Sequence, residues 1–128
     1  MTKRQSKTRS RSRKIDFETV RQLALALPDV EEGVSGGTPV LRVRGKFIAH
    51  LQQDEESLLI KIDYFKRDIL LHAEPETFYV TDFYRCHPMI FIRLSAVDRK
   101  TLSDLLEQAW RLTAPKRLVE AYDSKLSR

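Results

Sequence analysis

One cysteine, no long apolar run and no acidic residue before Asp16 are the first features of this 128-residue chain. With Cys86 alone, no intrachain disulfide can form, and nothing points to an oxidising compartment. No stretch approaches the roughly 18 apolar residues that cross a bilayer, so no membrane partner is expected. A secretory leader is not expected either, because Asp16, Glu18 and Arg21 stand where an apolar stretch would follow the basic start. Residues 2–14 hold no large apolar side chain, which argues against an amphipathic transit peptide. The expected location is the cytoplasm.

The missing acids make the charge uneven. The whole chain is +5, with 23 Lys and Arg against 18 Asp and Glu. Seven of those cations, Lys3, Arg4, Lys7, Arg9, Arg11, Arg13 and Lys14, fall within residues 1–14. The remaining 16 face all 18 acids, so the rest of the chain is close to −2. The first 14 residues cannot bury enough apolar area to offset the entropy of ordering, and they read as a disordered arm. Residues 15–128 read as a single domain, and a monomer is favoured.

Catalytic and metal-binding signatures are also absent. There is no Gly-x-Ser-x-Gly elbow, no His-Glu-x-x-His pair and no Gly-Lys-Ser/Thr loop. Cys86 and His87 are adjacent, and neighbours on an extended segment point to opposite sides, which suits neither a zinc site nor a nucleophile and its base. No metal, no cofactor and no enzymatic role are expected.

What is present is a pattern of short amphipathic elements. Asp16 caps a helix bearing Phe17, Val20, Leu23, Ala24 and Leu27 on one face, stopped by Pro28. The glycine-bearing stretch from Val30 to Thr38 reads as a loop. Val40–Arg44, Phe47–Gln52 and Ser57–Asp63 read as a three-stranded meander with Leu41, Val43, Leu58, Ile60 and Ile62 inward. Tyr64–Ala73 reads as a helix with Phe65, Ile69 and Leu70 inward. Strands at Thr77–Thr81 and Met89–Ser95 follow. A helix capped by Asp98 carries Leu102, Leu105, Leu106, Ala109, Trp110 and Leu112, and a last helix begins at Pro115 with Leu118, Val119 and Tyr122 buried. The order α-βββ-α-ββ-αα predicts an α+β fold of two layers, an antiparallel sheet with helices.

Three basic features stand out. Strand alternation puts Arg42, Arg44 and Lys61 on the outer sheet face, with Phe91 and Phe47 exposed beside them, a mixture suited to phosphates and unstacked bases. One face of an antiparallel sheet is ordinarily wet, however, and Arg and Lys commonly occupy it. Lys116 and Arg117 lie in the first turn of the last helix, where the macrodipole disfavours cations and an anion would be held. Arg9, Arg11 and Arg13 alternate with serines in the arm, which suits phosphate contacts without sequence reading and equally suits a solubilising tail.

The ordered set Glu31-Glu32-Gly33, Gly37-Thr38-Pro39, Val43-Arg44-Gly45-Lys46, Pro75-Glu76-Thr77-Phe78-Tyr79-Val80-Thr81, Tyr84-Arg85, Ala114-Pro115-Lys116-Arg117-Leu118-Val119 and Tyr122-Asp123 resembles the MmcQ/YjbR family. The likeness runs from about Phe17 to Asp123. It implies a two-layer fold similar to secretion chaperones and a non-enzymatic, DNA-binding role through a double wing of hairpins, with weak sequence preference. The matching positions with anion-binding chemistry are Arg42, Arg44, Lys46, Lys61, Tyr84, Arg85, Lys116 and Arg117. Cys86-His87 and the Arg-Ser arm depart from the family pattern. A protein-interaction module of the secretion-chaperone type is the alternative, with a protein partner in place of DNA.

Overall fold

The computed structural model describes residues 15–127, and the arm, with its expected disorder, lies outside the described residues. Helix α1, Phe17–Leu25, starts where the Asp16 carboxylate accepts from the Thr19 amide. Six strands follow, β1 (Val30–Ser35), β2 (Thr38–Val43), β3 (Lys46–Leu51), β4 (Ser57–Lys61), β5 (Phe78–Tyr79) and β6 (Met89–Arg93). Helix α2, Tyr64–Ala73, lies between β4 and β5, and a 3₁₀ turn, Phe83–Cys86, lies between β5 and β6. Helices α3 (Arg99–Thr113) and α4 (Lys116–Leu126) close the chain. The strands make one antiparallel sheet in the order β1-β2-β3-β4-β6-β5, with helices packed on one face, which is the α+β class the sequence predicts.

The element order differs from expectation at one place. Val30–Ser35, read above as a loop, is an edge strand paired with β2. Gly36 and Gly37, both at positive φ, form the two-residue turn between Ser35 and Thr38, the geometry whose twist suits a hairpin. An edge strand needs only a weak apolar signal, and Glu31, Glu32 and Val34 are all exposed. A second such turn, Arg44-Gly45, joins β2 to β3 and has both residues at positive φ.

The core lies between the sheet and the helices. Leu41, Val43, Ala49, Leu58, Ile60, Ile90 and Ile92 meet Val20 and Ala24 of α1 and Leu102, Leu106, Ala109 and Trp110 of α3. A bulge in the β2–β3 pairing leaves Ile48 as the extra residue, and Ile48 and Ala49 are both buried in this core. Trp110 is fully buried and its indole Nε1 donates to the Pro28 carbonyl at 2.9 Å, tying α3 to the end of the α1 segment. Leu118, Val119 and Tyr122 of α4 pack on the same core, as the apolar spacing predicts.

Helix α2 has the predicted position but is turned from the predicted orientation. Of the three residues expected inside, Leu70 packs against the core, whereas Phe65 is 78% exposed and Ile69 48% exposed, and both face outward. The residue buried in their place is Arg67. Its Nη1 donates to the carbonyls of His87 at 2.8 Å and of Tyr84 and Met89 at 3.3 Å, and its Nη2 donates to Arg85 at 3.0 Å. The guanidinium also lies over the Tyr64 ring, 4.9 Å from its centre, and the Tyr64 hydroxyl donates to the Cys86 carbonyl at 2.7 Å. The turn before β6 gathers four carbonyls around one point; those of Tyr84 and His87 also accept from the amides of His87 and Met89, and Arg67 adds donors to all four in a fixed fork. This pairing outweighs the burial of Phe65, because a guanidinium or a carbonyl left buried without its partner costs about 1–3 kcal/mol or more.

Arg67→Ala is therefore expected to destabilise the protein by about 3 kcal/mol, read as a shift of the urea midpoint. Arg67→Lys should recover only part of that loss, because an ammonium cannot present the same fork. In hydrogen exchange, the loss of protection in Arg67→Ala should be largest at residues 83–89.

Candidate functional site

The helices leave the opposite face of the sheet open, and strand register fixes what lies there. Val40, His50, Leu59, Phe91 and Tyr79 form one row across five strands. Val40, Leu59 and Phe91 are buried but belong to no part of the main core, so this face has its own small apolar floor. His50 is fixed at one end of the row. Its Nε2 lies 3.0 Å from the Ser35 carbonyl and 2.9 Å from Thr38 Oγ1. A carbonyl can only accept, so Nε2 carries a proton and is turned to the β1–β2 turn rather than to a ligand.

Aromatic rings cover the other end. Tyr79 stacks on Phe91 at 5.0 Å between ring centres, and Tyr84 meets Phe91 edge-on at 5.4 Å. This overturns the expected exposure of Phe91, which is only 5% exposed beneath them. The aromatic group exposed instead is Phe83, at 70%, with His87 stacked on it at 5.3 Å and Tyr84 edge-on at 4.9 Å. Arg93 lies over Tyr79 at 4.4 Å from the ring centre. The cleft beside it, about 320 Å³, is lined by Asp54, Glu56, Ser57, Tyr79, Arg93 and Ser95. The amides of Glu56 and Ser57 hold the Asp54 carboxyl below its ordinary range, chiefly through the 2.8 Å bond from Glu56, so Asp54 secures the turn as an anion.

The basic residues singled out from the sequence divide into groups. Arg42 and Lys61 lie on the open face, Arg42 opposite Phe47 and Lys61 opposite Met89. Gly33 makes room for the first of these, since a Cβ there would stand 3.4 Å from Arg42 Nη1. Lys46 begins β3 and is exposed. Arg44 does not sit on a strand face as expected. It occupies the β2–β3 turn at φ 52° and pairs with Asp29 at 2.6 Å. Tyr84 joins the aromatic group, while Arg85 points elsewhere and pairs with Asp82 at 3.1 Å. Lys116 and Arg117 are exposed at the start of α4, which packs on the helical side of the sheet, so they belong to a different surface. Arg9, Arg11 and Arg13 lie outside the described residues.

Among the described residues, Arg42, Lys46 and Lys61 have no carboxylate within 4.0 Å, although Glu31 stands across the strand pair from Arg42. Burial, and then the nearby charge of Lys46, push the Lys61 ammonium below the ordinary lysine value of 10.5. The arrangement favours an anion, which would relieve the repulsion that Lys61 feels from Lys46 at the start of β3. The strand pattern places Phe47 beside these cations, and it is half-buried there; Phe83, on the 3₁₀ turn before β6, has no periodicity that would mark it in the sequence. No group of three or more His, Cys, Asp or Glu side chains among the described residues is placed to hold a metal ion. No helix among them is long and apolar enough to cross a membrane.

The lowered pKa fixes a sign. The folded value lies below the unfolded one, so charged Lys61 costs stability at neutral pH and stops costing it as pH rises past 10.5. Lys61→Met is expected to raise the urea midpoint at pH 7, with the gain shrinking as the pH of the titration approaches 10.5.

Comparison with known proteins adds three likenesses. A protein of Deinococcus radiodurans, DR2400, with a domain named DUF419, has a crystal structure that superposes with a TM-score of 0.69 over 88% of each chain at 20% identity, a likeness of fold. The uncharacterised proteins Rv2570 of Mycobacterium tuberculosis and Mb2600 of Mycobacterium bovis are each 32% identical over 53 residues. That match spans 41% of this chain and 41% of each relative. The family model named YjbR matches residues 25–112, which takes in the whole sheet and most of α3. The chain belongs to the YjbR family.

Proposed function

We propose that this protein is a non-enzymatic nucleic-acid-binding domain that holds DNA phosphates on the open face of its sheet, with weak sequence preference. The observation that carries this reading is that Arg42 and Lys61 lie on one apolar and aromatic sheet face without a carboxylate at 4.0 Å, with the charge of Lys46 near enough to Lys61 to oppose its protonation. A fold does not retain like charges in partial burial for stability, since they oppose it. Phosphates neutralise such a cluster and release counterions in doing so. The near-neutral domain steers weakly, and the arm supplies the long-range attraction. Ile15 packs beside Glu55, Glu56 and Leu94, at the end of β4 away from Lys61. Fourteen residues reach at most about 50 Å when extended, which spans a five-residue strand with length to spare. Arg9, Arg11 and Arg13 would then add phosphate contacts along the same strand of DNA.

A second reading has its own observation. Tyr64, Phe65 and Ile69 form an exposed apolar stripe on α2 at 45%, 78% and 48% exposure, and β1 leaves one sheet edge free among the described residues. Such features suit a protein partner, a second copy of the chain being the simplest.

The two readings differ in salt dependence. Fluorescence anisotropy on duplex DNA should give a log–log salt slope of about −0.9 per phosphate neutralised. Arg42→Ala and Lys61→Met should each reduce the slope by about one contact, and removal of residues 1–14 should reduce it most. If both the full chain and residues 15–128 fail to bind duplex or single-stranded DNA at low salt, the nucleic-acid reading is wrong. The protein-partner reading instead expects self-association by sedimentation that persists at high salt and disappears in Phe65→Ser with Ile69→Ser.

A further inference from the structure

The open face offers more than charge, and its most exposed ring indicates which form of nucleic acid it suits. Phe83 is 70% exposed on a turn that is otherwise held rigidly, because Arg67 donates to the carbonyls of Tyr84, Arg85, His87 and Met89, which follow it directly. An aromatic ring left in water costs free energy and is ordinarily turned inward when its backbone is free to move. Here the backbone is pinned and the ring is braced, by His87 stacked against it at an interplanar angle of 18° and by Tyr84 edge-on at 83°. The result is a preformed planar platform that needs no ordering when a second ring arrives.

The platform adjoins the cations. His87 is two residues before Met89, which pairs with Lys61, and the Pro88 carbonyl accepts from the Ile62 amide at 2.9 Å. Tyr84 meanwhile reaches the Phe91 ring on the open face. A planar apolar surface therefore borders the Lys61 ammonium, which has no carboxylate at 4.0 Å. Alternation of a flat π-face with an anion is the chemistry of a nucleotide with its base unstacked. A duplex hides its bases within the stack and offers the face phosphates alone.

Building on the nucleic-acid reading, we infer that Phe83, braced by His87 and Tyr84, stacks on an exposed base, so that the domain prefers single-stranded nucleic acid to duplex. Lys61 holds a flanking phosphate. The preference among bases is weak, because every base presents a π-face and the platform brings no base-edge reader of its own.

The test uses the full chain and three fluorescein-labelled DNAs of equal length, namely an oligo(dT) strand, a duplex and a strand with abasic sites throughout its centre. Wild type should bind oligo(dT) more tightly than the duplex. Phe83→Ala should weaken oligo(dT) binding about tenfold while leaving the duplex affinity and both salt slopes unchanged, and Phe83→Trp should restore it. The abasic strand keeps its phosphates and lacks bases, so it should bind wild type as weakly as oligo(dT) binds Phe83→Ala. Equal affinity of wild type and Phe83→Ala for oligo(dT) would overturn the inference while leaving phosphate binding standing, and so would wild-type affinity for duplex at or above that for oligo(dT). Failure of all three DNAs to bind at low salt would overturn this inference and the nucleic-acid reading together.

Discussion

The guanidinium of Arg67 sits beneath the turn between β5 and β6 and donates to four main-chain carbonyls. Much of the molecule's outer surface follows from that one placement. Because Arg67 must point inward, the residues two positions to either side on α2, Phe65 and Ile69, turn toward water. Because the carbonyls of the turn are drawn toward Arg67, its side chains project the other way, and Tyr84 comes down on Phe91 while Phe83 and His87 stack above it. Nε of Arg67 makes no hydrogen bond among the described residues, and Asp68, at 3.9 Å and largely exposed, is the nearest opposite charge. The group is thus held by carbonyl dipoles more than by an ion pair, and dipoles in a partly buried setting suffice for a guanidinium, which is weakly hydrated for a cation.

The sheet separates two kinds of surface. Its inner face carries the continuous core with Trp110 at its centre, and the free energy of folding comes mainly from that burial. Its outer face carries a thin apolar floor, rings and cations, and here local rules are broken. Lys61 is partly desolvated near Lys46 and Phe83 is left in water, and at the edge of this face Arg44 adopts a left-handed backbone in the β2–β3 turn. Departures of this kind concentrate where a surface has a role other than folding. The counterexample lies at Arg44 itself, whose 2.6 Å pair with Asp29, also at positive φ, gives it a structural use.

Much of this was legible in the sequence, and the failures have physical causes. The caps at Asp16 and Asp98, the i, i+3, i+4 spacing of α3 from Leu102 to Trp110, though not its continuation to the exposed Leu112, and the period-two burial of Leu41 and Val43 were readable because each is a local rule with a strong signal. Strand β1 was not, since an edge strand with one exposed face and a glycine in its middle has almost no periodicity of its own and takes its shape from β2. The inversion of α2 was hidden for a different reason. An apolar pattern states which side chains favour burial, but it says nothing of a distant turn whose carbonyls need a donor more.

The site divides in the same way. Alternation along β2 and β4 sufficed to place Arg42 and Lys61 on one face, yet it could not tell that Lys116 and Arg117 would lie on the other side of the sheet, or that Arg85 would be occupied by Asp82. The sequence by itself determined the α+β class, most element boundaries, and the concentration of positive charge before Ile15, because all three depend on composition and short-range spacing. Only the tertiary structure decided which cations stand together without partners and which ring remains open beside them. Those outcomes depend on strand order and on the reach of Arg67 across 17 to 22 positions of chain to the turn, and no local pattern records a contact made at that distance.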